Sequence, residues 1–396
     1  MTIVTDYRAL LSGSYWFPIP SDGSPLVATP EPEVLTYSFA HTASATIQAS
    51  SPATAATFQQ FSASDQAATR LALQQWSQVS GITFIETTAS EGDLTFAYYN
   101  LTTMGYAGTA GLGNYPSAGA YITSAGYPET FGNQVAYAGD VYVDTSYAGN
   151  PSLQTDLAHV LVHEIGHTLG LKHPFDAGAY TLDPSLDNGD NTVMSYTGAR
   201  NATLGPLDVA AAQAIYGDFG AVPTSWTWSW NAAAEIYTVH SVGDDQFVRG
   251  VGAVSDIVYA PGLHDAVVTA QGNDVIYADG QPLSINAGAG NDTVYTGLTY
   301  ADLVGGVGGS GDFRYVYLAG DYQEYNSVET LVFTDGTYST ATNNFTALQP
   351  LSVEANDAAL SEGNGPFVFQ VIRTDSTAAS RVVNWNVLGS GAAPAN

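Results

Sequence analysis

A nine-residue period runs through the second half of the chain and fixes what that half can fold into. Asp256, Asp265, Asp274 and Asp292 lie at multiples of nine, with Leu283 at the remaining step. Two places after each comes a β-branched residue: Val258, Val267, Ile276, Ile285 and Val294. Such residues favour strands, and nine residues hold one short strand plus one tight turn, so the repeat predicts a stacked β-solenoid. Gly272-Asn273-Asp274 and Gly290-Asn291-Asp292 are the fullest copies, and Gly288-Ala289-Gly290 completes the second. The register slips at Asp302, and Gly305 to Asp312 are expected to continue it loosely.

The residues before the repeat read differently. The spacing of Leu73, Trp76 and Val79 predicts a helix over 62–80, capped by Ser62 or Ser64 and stopped by Gly81. Ile82 to Ile85, Leu94 to Phe96 and Val141 to Val143 read as strands, and Gly105 to Gly132 as a long loop or irregular sheet edge. Pro151 to Leu169 and Pro206 to Tyr216 read as two more helices, so the first part is an α+β domain. Trp226, Trp228 and Trp230 share one face of a strand and read as a stripe packing one domain on another. In the tail, Phe367, Phe369 and Val371 alternate, as do Val383, Trp385 and Val387. They read as two strands of a β-sandwich that stops before it could close, as expected of part of a longer protein. A chain of 396 residues is expected to need more than one core. The boundaries read as 1–222, 223–350 and 351–396.

Charge and composition narrow the partners. There are 37 acidic and 8 basic residues, a net charge of −29, which argues against nucleic acid and against an anionic membrane face. The same surface weakly disfavours acidic substrates and suits bound cations. No cysteine is available for a disulfide, a thiolate metal site or a nucleophile. No stretch reaches the roughly 18 apolar residues of a membrane span. Met1 to Leu11 lack the basic start and apolar run of a Sec signal peptide.

The chemistry concentrates in His163-Glu164-Ile165-Gly166-His167-Thr168-Leu169-Gly170-Leu171-Lys172-His173. His163 and His167 lie four apart on a helix, so their rings share a face and can bind one zinc ion. Gly170 permits a sharp turn that brings round His173 as third ligand. Three protein ligands leave a position open, the mark of a catalytic site. Glu164 stands where a general base is needed, and His159, four residues upstream, reads as a packing histidine. Val193-Met194-Ser195-Tyr196 follows, with Met194 21 residues after His173.

With these segments, residues 7 to about 340 resemble the serralysin branch of the metzincins, bacterial secreted metalloproteases with glycine-rich calcium-binding repeats. Leu35 to Phe39, the Leu73 to Phe84 segment, Pro174 and Leu204-Gly205-Pro206-Leu207-Asp208 belong to the same likeness. The resemblance implies a metzincin zinc-protease domain, a parallel β-roll and a tail similar to the start of a Calx-beta domain. It implies Met194 beneath the metal, Tyr196 as a zinc ligand that can swing to the substrate oxyanion, and substrate paired with a sheet edge near Leu94 to Phe96. It further implies one Zn²⁺, and Ca²⁺ held by Gly272, Asp274, Gly288, Gly290 and Asp292. In such a roll residues 18 apart stack, so Asp256, Asp274 and Asp292 form one row and Asp265 lies opposite. The expected function is secreted, extracellular endopeptidase action on proteins or peptides, with export by a type I apparatus. The alternative is a calcium-stabilised surface or adhesion protein with a vestigial protease domain.

Overall fold

The computed structural model describes residues 2–20, 24–117, 120–122, 128–130, 137–280, 282, 284–348, 352–355 and 369–372. Residues 1–345 form one compact unit and 346–396 a second.

Five strands make the first sheet of the larger unit: β1 (Glu33–Phe39), β2 (Ile82–Glu86), β3 (Leu94–Tyr99), β4 (Gly111–Gly113) and β5 (Val141–Asp144). The order is β2-β1-β3-β5-β4, all parallel except β4, which runs antiparallel to β5. A long crossover joins the parallel β1 and β2 and carries α1 (Ala63–Ser77) after two short helices at Ala45–Ser50 and Pro52–Ala55, whereas α2 (Gln154–Thr168) and α3 (Pro206–Tyr216) follow the last strand of the sheet. Ser62 caps α1 in a reciprocal box with Asp65, as the sequence suggested, and the helix ends three residues earlier than 80. Pro151 opens a short 3-10 turn from which α2 continues. Leu73 and Trp76 of α1, Leu157, Val160 and Ile165 of α2, and Leu35, Phe96 and Val143 of the sheet share one core. Trp76 also donates its indole N–H to the Val162 carbonyl at 3.1 Å, fixing α1 against the middle of α2.

Strand order corrects one expectation. Leu94 to Phe96 lie in β3, which is hydrogen-bonded to β1 on one side and β5 on the other. β3 is therefore an interior strand, and the strand at that end of the sheet is β4.

Beyond residue 225 the only helical piece among the described residues is a 3-10 turn at Tyr300–Asp302. Strands β6 (Trp226–Asn231), β7 (Ile236–Ser241), β8 (Phe247–Arg249), β9 (Ser255–Tyr259), β10 (Ala266–Val268), β11 (Val275–Tyr277), β12 (Ser284–Asn286) and β13 (Thr293–Tyr295) follow. From β9 the chain alternates between two sheets, and each strand pairs in parallel with the one two places on. Ile257 faces Val275, Val275 faces Thr293, and Ala266 faces Ser284. The side chains of Val258, Val267, Ile276, Ile285 and Val294 are fully buried between the sheets, which is why the period carries a β-branched residue at that place. Leu283 lies outside the described residues. Gly305 to Asp312 do not continue the repeat. They begin a meander of β14 (Val307–Ser310), β15 (Phe313–Leu318) and β16 (Asp321–Asn326), antiparallel throughout. Parallel stacking resumes where β16 meets β12 and β17 (Thr330–Phe333) meets β13.

The two parts of this unit are joined by buried contacts. Val34 and Ile85 of the first sheet belong to the core of the second part, with the half-buried Trp226, Trp228 and Trp230 packed against it. Arg249 is fully enclosed. It pairs with buried Asp93 and stacks over the Trp16 ring at 4.7 Å. In the smaller unit β18 (Ser352–Ala355) pairs antiparallel with β19 (Phe369–Ile372), which includes Phe369 and Val371. Phe367, Val383, Trp385 and Val387 lie outside the described residues. Among the described residues no helix is long and apolar enough to cross a membrane.

Candidate metal centre

One helical turn separates His163 from His167, and their rings meet edge to face at 4.9 Å. After α2 the chain reverses at Gly170, whose φ of +90° suits glycine. A Cβ there would lie 2.5 Å from the Ser14 carbonyl, so the turn is also sterically closed to other residues. The reversal carries His173 back until all three histidines offer nitrogens within 4.8 Å of one another. His159 is outside this group. Its Nδ1–H donates to the Asn201 carbonyl at 2.8 Å.

Each histidine of the group has its Nδ1 occupied. His163 donates to the Val193 carbonyl at 2.7 Å, His167 to the Leu171 carbonyl at 2.7 Å, and His173 to Asp176 Oδ2 at 2.9 Å. Carbonyls and carboxylates only accept, so the proton sits on Nδ1 and the lone pair on Nε2. Burial and the neighbouring rings hold His163 well below its usual range and His167 down to about 4, which keeps them neutral. The Nε2 atoms of His167 and His173 face each other at 3.2 Å. Converging lone pairs with locked outer nitrogens are the donor set of a three-histidine zinc site. Sequence spacing found the three rings; it did not find Asp176, whose role appears only when the turn closes.

Glu164 follows His163 but leaves the helix on the flank facing β4. The Gly113 N–H donates to Glu164 Oε2 at 2.7 Å. Burial pushes this carboxyl up to about 8, against the Gly113 N–H and the Arg200 charge, which hold it down. β4 passes so close that a Cβ at Gly111 would meet Glu164 Cγ at 2.7 Å, and one at Gly113 would meet the Glu164 carbonyl at 2.2 Å. Both glycines sit in the stretch the sequence read as irregular. Met194 is fully buried under α2, where a Cβ on Gly166 would lie 2.6 Å from its sulfur. Asp208 holds that turn, accepting from Val193 N–H at 2.8 Å and Gly205 N–H at 2.7 Å. Tyr196 is exposed, and its hydroxyl donates to His173 Nε2 at 2.8 Å. A cavity of about 360 Å³ opens beside Glu164 and Tyr196.

A second set of carboxylates lies in the stacked sheets. Asp256 N–H donates to Asp274 Oδ1 and Asp274 N–H to Asp292 Oδ1, both at 2.8 Å, so residues 18 apart form a ladder. One oxygen of each, Asp256 Oδ1, Asp274 Oδ2 and Asp292 Oδ2, is buried without a partner among the described residues. Gly272, Gly288 and Gly290 have φ of +148°, +81° and +157°. A Cβ on Gly288 would lie 1.8 Å from the Ala270 carbonyl, and one on Gly290 1.5 Å from that of Gly272. Asp265, on the other side, uses both oxygens, with Gln246 N–H and Ser241 Oγ. Buried unpaired carboxylates beside backbone carbonyls fit a hard cation such as calcium.

Comparison with known proteins agrees with this geometry. Residues 35–217 match the matrixin peptidase family. A metallopeptidase AprA of Pseudomonas marginalis is 32% identical over 186 residues, covering 40% of this chain and 35% of that protein. A serralysin of Photorhabdus laumondii is 32% identical over 180 residues, 40% of this chain and 34% of the relative. Serralysin G of Dickeya chrysanthemi is 28% identical over 225 residues, 51% of this chain and 42% of the relative. The chain thus spans about a third to two fifths of the length of these curated relatives. Residues 35–217, which carry the three-histidine group, are thus similar to the matrixin peptidases and to the serralysins.

Proposed function

We propose that this chain is a secreted zinc endopeptidase that hydrolyses peptide bonds of extracellular proteins, with Glu164 as general base and Tyr196 assisting. The observation that carries the reading is the trio of Nε2 lone pairs fixed by three occupied Nδ1 atoms, with Glu164 held beside it by Gly113. A zinc ion held by His163, His167 and His173 supplies Lewis acidity toward a peptide carbonyl and acidifies water. Glu164 takes a proton from the attacking water, with its carboxylate aimed by the Gly113 N–H, and returns it to the leaving amine. The exposed Tyr196 hydroxyl releases His173 and donates to the substrate oxyanion as it forms. Substrate lies extended along β4, the strand at that end of the sheet. Met194 supports the metal-binding helix from below.

The reading has a calcium-dependent part. The three-part organisation is 1–222, 223–350 and the Calx-beta-like start at 351–396, with the middle part a parallel β-roll. Its calcium ligands are Asp274 and Asp292 with backbone oxygens at Gly272, Gly288 and Gly290, and the ladder of unpaired carboxylate oxygens supports this. Calcium outside the cell would compact a roll that leaves through a type I apparatus unfolded. The deciding experiment is cleavage of casein by the purified chain before and after chelation. Activity that disappears on zinc removal and returns with about one zinc per chain supports the proposal. A zinc-loaded, folded chain that leaves casein intact overturns it.

A further inference from the structure

The cavity beside Glu164 is bounded by Thr109 to Gly111 on one side, by His159 and Val160 of α2 below, and by Ser195 to Arg200 on the other side. At about 360 Å³ it has the size of a small-ligand pocket. Its position relative to the histidines assigns the residue it receives. His163, Glu164 and Tyr196 line it, while His167 and His173 do not. The proton carried by Glu164 ends on the leaving amine, so the residue bearing that amine lies on the Glu164 side. The cavity therefore takes the first side chain of the leaving fragment, an assignment that rests on the peptidase reading above.

Its charge is unusual for this protein. Only 8 of the 396 residues are Lys or Arg, yet one of them, Arg200, lines the cavity and is its only cation among the described residues. Arg200 is held in place: its Nε lies 2.7 Å from Asp156 Oδ1, and Asp156 Oδ2 accepts from the Tyr147 hydroxyl at 2.5 Å. Asp156 is thereby used on both oxygens. The Nη groups of Arg200 have no hydrogen-bond partner among the described residues, and the side chain is about half exposed. Of the other lining groups, His159 is committed through Nδ1 to Asn201, the Ser195 hydroxyl donates to Asp187 and the Tyr196 hydroxyl to His173, and Val160 and Ala110 are apolar, which leaves Thr109 as a further hydroxyl in the wall.

We infer that Arg200 makes this cavity a subsite for an acidic side chain, aspartate or glutamate, at the first position after the cleaved bond. A planar guanidinium with free Nη groups matches a carboxylate in two parallel hydrogen bonds, and its Nε–Asp156 pair fixes the plane in advance. The overall acidity of the chain does not cancel this. Exposed charges are screened over about 8 Å at physiological salt, whereas the guanidinium acts at contact. The long-range field slows the approach of acidic substrates, and Arg200 decides which bond is cut once they are bound.

The test compares fluorogenic peptides that differ only at the first residue of the leaving fragment, glutamate, glutamine or lysine. The zinc-loaded full chain should cleave the glutamate peptide with kcat/KM about 10-fold above the glutamine peptide. Arg200→Gln should bring that ratio to about 1, and R200E should place lysine above glutamate. Because each ratio is internal to one preparation, partial misfolding of a variant does not obscure it. Binding of the same peptides to a Glu164→Gln chain, followed by fluorescence anisotropy, should give the same order of Kd. A wild-type ratio of 1 or below, or a ratio that Arg200→Gln leaves in place, overturns the subsite. If no peptide is cleaved at all, the peptidase reading fails. The Kd order and its response to Arg200→Gln then decide the pocket alone.

Discussion

Replacing Gly113 with alanine tests whether β4 positions Glu164. The added Cβ would stand 2.2 Å from the Glu164 carbonyl oxygen and 2.9 Å from His167 Cβ. Both belong to α2, whose backbone is fixed by its helical hydrogen bonds and by Trp76, so the strand has to retreat by about 1 Å. Crowding of this kind costs about 1–3 kcal/mol. A retreat of that size also breaks the 2.7 Å bond from Gly113 N–H to Glu164, and hydrogen bonds to charged groups contribute about 1.5–3 kcal/mol. A catalytic group misplaced by about 1 Å loses about 100-fold in rate. Gly113→Ala should therefore lower kcat/KM on a fluorogenic peptide about 100-fold and lower the melting temperature by several degrees, with zinc content unchanged, since no histidine bond involves β4. Gly178→Ala is the control, because its Cβ meets only Lys172 Cε at 3.4 Å. Turnover within about threefold of wild type would refute the positioning role of β4, and so would loss of zinc.

Three further outcomes follow from other parts of the molecule. Tyr196→Phe should reduce kcat/KM by roughly 10- to 1,000-fold with zinc retained, because only the hydroxyl is removed; unchanged kinetics would make Tyr196 a turn residue. In calcium titrations followed by circular dichroism and limited proteolysis, Asp274→Ala and Asp292→Ala should move the midpoint to higher calcium and Asp265→Ala should barely move it. Equal shifts in all three would reject the single-row assignment. Burial pushes the Glu33 carboxyl up to about 8, with Arg249 opposing and Asp93 and Glu31 reinforcing. A raised acid stabilises the fold fully below its unfolded value of about 4.3 and loses that contribution as pH rises through about 8, a span of roughly 3–5 kcal/mol. Melting temperature should fall from pH 5 to pH 9, and Glu33→Gln should flatten the decline; an unchanged slope in the variant would remove Glu33 as its source.

What was legible in the sequence was local. Ser62 and Asp65 announce the start of α1, Pro206 opens α3, and four-residue spacing puts His163 and His167 on one face, because each depends on neighbours within a turn or two. The nine-residue period gave the buried positions from Val258 to Val294 for the same reason. Long-range closeness stayed hidden. Gly111 and Gly113 are glycines because of α2, some fifty residues further along, and nothing within Gly105 to Gly132 says so. That Leu94 to Phe96 form a central strand depends on strand order, which local pattern does not encode. The meander from Val307 interrupts the stacking, so Thr330 of β17 takes the place beside Thr293 that the period would have given to a residue 18 on. Nothing in the sequence around Arg200 places it in one cavity with Glu164, since that closeness too is long-range.

The account rests on Glu164 acting as base while the three histidines alone hold the metal. Glu164→Gln measures this most directly, since the amide keeps the shape of the side chain and loses the ability to take a proton. Zinc should remain at about one per chain, and peptide hydrolysis should fall by about 100- to 10,000-fold. Hydrolysis at the wild-type rate, or a chain that no longer retains zinc, would contradict it.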